Sequence, residues 1–332
     1  MEEIIKKITV IGGTGMLGRP VARELIRAGY DVTAMVRDTG TAASKLPEKV
    51  TLVDGDLASK KDIAAALKGA DAVYMNLSTR PDVKKYDTFI AERDGLENVL
   101  AVVSQINGDA DAGRGTGAGN GPGAGVASDG GPGAENAGSY RAGKPVKRVA
   151  AISSLVHRYQ GTADFRWWVF EIKQWADKKL READVPVTVF YPSSFMETMD
   201  QGGIMQGHRL MLVGNSRQPM HFIAGSDYGR MVAEAFRHHD ESDQFYDIQG
   251  TQALTFDDAA LEFIKNYRHG PLKITRVPMW LIKMVGTLNS EVNYLAHIMD
   301  ALNNYAEPEP DPSVWKKLGR PKDTMVEYTR RL

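Results

Sequence analysis

The chain has no cysteine among its 332 residues. This absence excludes disulfide bonds, thiolate metal sites and a cysteine nucleophile, and it suits a reducing compartment, so we predict a cytoplasmic location. An excess of one charge is also lacking, since the formal net charge is -1 and no long basic stripe occurs. We therefore expect neither nucleic acid nor a membrane as a partner.

Long apolar runs are absent as well. The segment Val277 to Val285 is apolar but short, and a lysine interrupts it, so no membrane span is predicted. Met1 to Lys7 is charged and lacks the apolar core of a signal peptide. No metal site is predicted, because His238-His239-Asp240 falls at a predicted helix end, where the helix dipole favours histidine, and no third cluster of ligands accompanies it.

The patterns that are present alternate between strand and helix over the first two hundred residues. Short runs rich in β-branched residues predict strands, and apolar residues at three- and four-residue spacing predict the helices between them. The predicted strands are Ile8 to Ile11, Val32 to Val36, Val50 to Val53, Ala72 to Met75, Val149 to Ile152 and Val187 to Tyr191. This alternation predicts an α/β fold with a doubly wound parallel sheet, in which residues 1–200 form a Rossmann domain.

Two regions depart from this alternation. Residues 107–143 are rich in Gly, Ala, Asn, Asp, Ser and Pro, which predicts a flexible insertion at the sheet edge opposite the usual ligand edge, or else a segment that binds a partner. Residues 201–332 predict a smaller mixed substrate lobe, of which about 226–250 returns to the Rossmann sheet. Within that part, Ser226 is predicted to cap a helix. After Pro312 we expect a polar tail.

The segment Gly12-Gly13-Thr14-Gly15-Met16-Leu17-Gly18 lies between a predicted strand and a predicted helix. Gly12 permits a tight turn, Gly15 lets the backbone approach a pyrophosphate, and Gly18 lets helix and strand pack closely. The helix N-terminus then offers free N–H groups and a partial positive charge to phosphates. The sequence therefore predicts a dinucleotide site, against the alternative of a purely structural turn.

Cofactor choice is predicted from the end of the second strand, about 20 residues beyond the turn. An acid there binds ribose hydroxyls, whereas an arginine accepts a 2′-phosphate. Arg37 comes first and Asp38 follows it, so NADP(H) is preferred and NAD(H) stays open. A solvated surface role for Arg37 is the alternative.

A family resemblance becomes visible in these residues. The glycine turn, Val36-Arg37, Gly55-Asp56-Leu57, Ile152-Ser153-Ser154 and the stretch from Lys173 to Phe195 resemble the NmrA-like branch of the atypical short-chain dehydrogenases/reductases, an NAD(P)-binding Rossmann group. The resemblance implies that Asp56 and Leu57 lie at the adenine, and that Asn76, Leu77 and Ser78 flank the middle of the cofactor. It also implies that Tyr191, Pro192 and Phe195 belong to the loop over the nicotinamide, with tyrosine where the group usually has a basic residue.

The resemblance also defines a departure in the catalytic residues. Ordinary members of the superfamily carry a tyrosine four residues before a lysine, and the phenol passes a proton to the substrate. Lys173 matches the lysine, but Val169 occupies the position of the tyrosine. Lys173 is therefore expected at the cofactor ribose and, with Ser154, is the candidate for catalysis. His157 and Tyr159 are alternative proton carriers, and Ser153 could orient a carbonyl.

Three functions follow from this pattern. The first is an NADP(H)-dependent oxidoreductase acting on a small apolar or carbonyl substrate. The second is a non-catalytic redox sensor of the NmrA-like type, which would signal to a protein partner, and the third is an epimerase-like enzyme for sugar nucleotides. Aromatic and methionine side chains near the expected nicotinamide site favour an apolar or aromatic substrate. They are Trp167, Trp168, Phe170, Phe195, Met196, Met199 and Met205.

Overall fold

A computed structural model describes residues 4–115, 144–238 and 240–332. Twelve strands are found in these ranges. They are β1 (Lys7–Ile11), β2 (Asp31–Val36), β3 (Thr51–Asp54), β4 (Ala72–Met75), β5 (Arg148–Ile152), β6 (Val187–Pro192), β7 (Met205–Gln206), β8 (Arg209–Val213), β9 (Met220–His221), β10 (Gln244–Ile248), β11 (Ala253–Leu254) and β12 (Lys273–Val277).

Eleven α-helices lie in the same ranges. They are α1 (Gly18–Arg27), α2 (Thr39–Ala43), α3 (Lys60–Ala66), α4 (Leu96–Gly115), α5 (Trp168–Arg181), α6 (Gly225–Arg237), α7 (Phe256–Asn266), α8 (Met279–Gly286), α9 (Ser290–Asn304), α10 (Pro312–Leu318) and α11 (Met325–Arg330). A single π-helical turn, Ala91–Gly95, leads into α4. No helix in the described ranges combines the length and the apolar character that crossing a membrane requires.

Seven strands form one parallel sheet in the order β10-β6-β5-β4-β1-β2-β3. The strand order reverses between β1 and β4, the point at which this architecture binds ligands at the carboxyl ends of the strands. A separate three-stranded sheet, β12-β8-β7, and a two-stranded one, β11-β9, belong to the second half of the chain. The predicted α/β class with a doubly wound sheet and a smaller mixed lobe is confirmed.

The alternation of side chains along each strand explains why both faces of the sheet are covered. In β1, Val10 belongs to the core beneath α1 and α6, whereas its neighbour Ile11 belongs to the core beneath α3, α4 and α5. Tyr74 and Met75 of β4 divide in the same way. Strands that are buried on both faces read as continuous apolar runs, which is the pattern the sequence contains.

After β7, β8 and β9, the chain returns to the seven-stranded sheet. Strand β10 pairs in parallel with β6, and α6 packs along α1. The prediction that Ser226 caps this helix is wrong, because Ala224 is the N-cap and the Ser226 hydroxyl donates to Asp323. The boundary between the two predicted domains, near residue 200, stays a prediction.

Two further expectations differ from the structure. Helix α4 continues to Gly115, so residues 107–115 of the predicted insertion are helical, and Asn107 fixes this part by exchanging two hydrogen bonds with the backbone of Val146. Residues 116–143 lie outside the described ranges. The segment after Pro312 is no polar tail, because Leu318 of α10 and Met325 of α11 are fully buried.

Candidate functional site

The glycine turn joins β1 to α1 at the carboxyl edge of the sheet. Gly12 has a φ of +79°, and a Cβ added to it would stand 2.3 Å from the carbonyl oxygen of Asn76. A Cβ on Gly18 would lie 2.1 Å from the carbonyl oxygen of Gly12. Both distances are far below a van der Waals contact, so only glycine fits at these two positions.

The start of α1 has donors available for a ligand. Its N-cap, Leu17, makes no side-chain cap to the first N–H groups, and Gly15 is exposed while Thr14 and Met16 are half-buried. Arg19 extends beside the turn, where its guanidinium donates to the carbonyl of Gly15 and to the side chain of Gln201. Uncapped N–H groups at a helix start are donors that an anion can use.

Arg37 and Asp38 have different environments at the end of β2. Asp38 caps α2, accepting from the backbone of Gly40 and Thr41 and from the Thr41 hydroxyl, and these bonds hold the pKa of its carboxyl below the ordinary value. Arg37 is exposed and makes no hydrogen bond or ion pair with the described residues. The cation is thus available to a ligand, while the carboxylate is already engaged.

Asp56 and Leu57 follow β3 along the same edge. Asp56 is exposed and accepts a hydrogen bond from the backbone of Ala58, which shapes the turn. The carbonyl of Leu57 accepts from the side chain of Asn98 on α4, and its own side chain packs on Gly95. Leu57 therefore offers a half-buried apolar surface between β3 and α4.

Residues Asn76, Leu77 and Ser78 leave β4 directly beside the glycine turn. The backbone N–H of Asn76 donates to Ile11 at 2.8 Å, and its side-chain amide reaches the carbonyl of Gly12 at 3.4 Å. Leu77 is half-buried and Ser78 is exposed. These contacts bring the segment after β4 against the turn, on the side where the strand order reverses.

Lys173 lies in the second turn of α5 and is held by a buried carboxylate. Its ammonium donates to Oε1 of Glu92 at 2.5 Å, and Oε2 of Glu92 accepts from the backbone N–H and the hydroxyl of Thr79 at 2.9 and 2.8 Å. Glu92 is 5% exposed and sits on the π-helical turn before α4. This three-residue cluster joins the segment after β4 to α5.

Neither Glu92 nor Thr79 was singled out by the sequence analysis. A signal for Glu92 was present, because it precedes Leu96, Val99 and Val103 by four, seven and eleven residues, and so falls on the inner face of the helix. A carboxylate on such a face needs buried partners. The sequence could not show that Lys173 and Thr79 supply them.

The serines after β5 and the following histidine form a second polar group. The Ser154 hydroxyl is buried without a hydrogen-bond partner among the described residues, and its carbonyl contacts His157 Nδ1 at 2.5 Å. Ser153 Oγ lies 3.4 Å from the same nitrogen, while Nε2 lies 3.3 Å from the carboxylate of Asp177. His157 is thereby fixed in the core. Tyr159 packs its ring on Phe165, with 4.9 Å between centroids.

Tyr191, Pro192 and Phe195 are buried at the end of β6. The Tyr191 hydroxyl accepts from Arg181 in the last turn of α5, eight residues and about 12 Å along the helix from Lys173. Burial raises the pKa of Tyr191 to about 12. Its phenol is therefore not brought together with the lysine. The Phe195 ring packs on Tyr228 of α6, on the other face of the sheet.

Comparison with known proteins identifies the family of the chain. A family profile described as NAD(P)H-binding matches residues 12–216. An isoflavone reductase homolog from Zea mays is 41% identical over 81 residues, which are 22% of this chain and only 26% of the maize protein. The chain thus aligns with about a quarter of that relative's length.

Solved structures match over nearly the whole chain. An NADPH-dependent quinone oxidoreductase from Escherichia coli, complexed with NADPH, superimposes with a TM-score of 0.67 at 16% identity, covering 98% of this chain and 99% of that one. A triphenylmethane reductase from Citrobacter, complexed with NADP(H), gives a TM-score of 0.65 at 15% identity, covering 98% and 100%. At these identities the likeness concerns the fold.

Proposed function

The chain belongs to the NAD(P)H-binding family, with the Rossmann fold of NmrA-like atypical short-chain dehydrogenases/reductases, and on that premise we propose that it is an NADP(H)-dependent oxidoreductase acting on a small apolar or carbonyl compound. The observation that carries the proposal is that Gly12 and Gly18 have no room for a Cβ, so the backbone that leads into α1 stays bare. The solved quinone oxidoreductase and triphenylmethane reductase support the choice of reaction class.

Residues of this chain fit the parts of such a cofactor. The backbone at Gly12, Thr14, Gly15, Met16, Leu17 and Gly18 would hold the pyrophosphate, Asp56 and Leu57 the adenine, and Asn76, Leu77 and Ser78 the centre. Arg37 would pair with a 2′-phosphate, since a guanidinium forms two parallel hydrogen bonds with phosphate oxygens. Pro192 and Phe195 would shape the loop over the nicotinamide. Tyr191, buried at the end of β6, would support that loop.

The bound cofactor would supply a hydride, and the chain must then manage one proton. Lys173 has three N–H donors, of which Glu92 uses one, so two are free to hold the ribose hydroxyls. The buried Glu92 carboxylate holds the Lys173 side chain in one position. We infer that Lys173 orients the ribose and that water or another side chain provides the proton, with Ser154 orienting the substrate.

A redox sensor without turnover is the second candidate, and Val169 favours it. This side chain is 1% exposed and apolar, so the position of the usual phenol offers no proton. Steady oxidation of NADPH with a panel of quinones and aromatic ketones would support the enzyme. Tight NADPH binding by calorimetry, with no oxidation of NADPH by any member of the panel, would contradict the enzyme and support the sensor.

A further inference from the structure

A cleft of about 310 Å³ opens between the segment after β4, the start of α5 and the junction of α8 with α9. Three aromatic side chains line it, namely Trp167, Trp168 and Tyr294, and Pro81 and Val83 also contribute. The ring of Trp167 meets that of Tyr294 edge to face, with 4.8 Å between centroids. Lys84, Lys85, Asn289 and Asn293 also line the cleft, and its volume suits one small molecule.

Tyr294 is half-buried, and its hydroxyl is used differently from those of Tyr74, Tyr228 and Tyr328. Tyr74 and Tyr228 bond each other at 2.9 Å, and Tyr328 donates to Asp200 at 2.6 Å. Within residues 4–115, 144–238 and 240–332, the hydroxyl of Tyr294 has no hydrogen-bond partner. This hydroxyl is also not sealed from solvent. A free donor on an aromatic wall is what an oxygen-bearing aromatic ligand needs.

The cleft also adjoins the Lys173 cluster. Pro81 is two residues beyond Thr79, which donates twice to Glu92. Tyr294 also interacts with this cluster. Burial, and to a smaller extent the charge of Glu92, raises the pKa of Tyr294 to about 12. The phenol is therefore protonated, and a donor, at neutral pH. Tyr294 comes from the second half of the chain, so the cleft lies where the two halves meet.

We propose that this cleft binds a small aromatic carbonyl compound, whose ring contacts Trp167 and Trp168 and whose oxygen accepts a hydrogen bond from Tyr294. That the ligand is the hydride acceptor rests on the proposed function. In that reaction the carbonyl carbon gains a hydride from NADPH, the C=O π bond breaks, and the oxygen takes the proton of Tyr294. The compound is reduced by two electrons, NADPH is oxidised to NADP+, and the phenolate regains a proton from water at the cleft mouth.

The test measures binding rather than turnover. The full chain, with and without saturating NADP+, is titrated with 1,4-naphthoquinone and with naphthalene in ligand-observed NMR. The absence of cysteine removes the usual addition of thiols to quinones. We expect Tyr294→Phe to weaken naphthoquinone binding about tenfold, the effect of one lost hydrogen bond, and to leave naphthalene within about twofold. Trp168→Leu should weaken both ligands.

Tyr267→Phe is the matched control, since this tyrosine packs on Phe263 outside the cleft and should change neither affinity. Because Tyr294→Phe keeps the ring that packs on Trp167, it is expected to fold even if Trp168→Leu does not. Equal naphthoquinone affinity in Tyr294→Phe and the parent would overturn the proposal, as would failure of the parent to bind either compound. A different outcome would overturn the proposed function alone. In that case the chain binds naphthoquinone through Tyr294 but does not bind NADP+.

Discussion

The glycine turn and the Lys173 cluster are built in opposite ways, although both lie at the carboxyl edge of the sheet. The turn uses seven consecutive residues and acts through its backbone, which is packed so closely that a Cβ at Gly18 would lie 2.1 Å from the carbonyl oxygen of Gly12. The cluster uses side chains of Thr79, Glu92 and Lys173, which lie far apart in the sequence. Local steric rules define the first, and the packing of helices defines the second.

This difference teaches which kind of substitution should damage each region. In the turn, a methyl group added at Gly12 or Gly18 is enough, because there is no space for it. In the cluster, shape can be kept and charge alone removed, because the contacts are electrostatic. Two predictions test this contrast directly and two more extend it to Glu197 and Arg37, beginning with the largest effect.

Gly18→Ala should abolish NADP(H) binding, with a loss of at least about a hundredfold in affinity, since the new Cβ would collide with Gly12 and displace the turn. Calorimetry with NADPH measures it. Gly108→Ala is the control, because its Cβ would meet nothing within 4 Å and alanine favours a helix. Unchanged NADPH affinity in Gly18→Ala would show that the turn does not hold the cofactor.

Glu92→Gln should lower the free energy of unfolding by about 3 to 5 kcal/mol, because it leaves the Lys173 ammonium buried without its counter-charge. Urea denaturation measures the loss. Adding Lys173→Met should restore part of it, since the pair is then removed together. Glu97→Gln, exposed on the same helix, should have little effect. If Lys173→Met did not reduce the loss of stability caused by Glu92→Gln, the broken ion pair would not be the cause of that loss.

Glu197 offers a contrast with Glu92, because only Gly225 donates to it and its Oε2 is buried without a partner among the described residues. Burial raises its pKa from 4.5 to about 7. The folded chain thus holds this proton more tightly than the unfolded chain, and stability falls as pH rises from about 4.5 through about 7. The loss is at most about 3 kcal/mol.

Glu197→Gln cannot titrate, so its stability relative to the parent should increase over that pH range. Thermal unfolding of both proteins between pH 4 and pH 8 measures the difference. Asp200→Asn, on the same loop, separates the effect of Glu197 from that of the nearby carboxylate. A difference between Glu197→Gln and the parent that is constant with pH would contradict the buried proton.

Arg37→Ala should give the smallest effect, a loss of about tenfold in affinity for NADPH with less than about twofold for NADH, because only the former carries the 2′-phosphate. Competition binding with the two cofactors measures it, and Arg23→Ala, at an exposed arginine of α1, is the control. Equal losses for both cofactors would remove the argument that Arg37 selects NADP(H).

The same contrast explains how much the sequence could predict. The turn, the parallel sheet and the helices of the first half follow from residue types at fixed spacing, and the structure confirms the fold. The spacing places Glu92 on the inner face of its helix, but its partners, and the role of Tyr294, could not be found in this way, since they depend on which helices meet. Helices α10 and α11 were missed because few apolar residues, such as Leu318 and Met325, anchor them against the rest of the chain.

The central claim is that backbone amides at the start of α1 hold a pyrophosphate. Hydrogen–deuterium exchange of the full chain with and without NADP+ tests it directly, because a bound phosphate slows exchange of the N–H groups that donate to it. The claim predicts strong protection of the segment Gly12 to Arg19 and none in α8, which lies in the second half of the chain. NADP+ binding that left this segment unprotected, or no NADP+ binding at all, would contradict it.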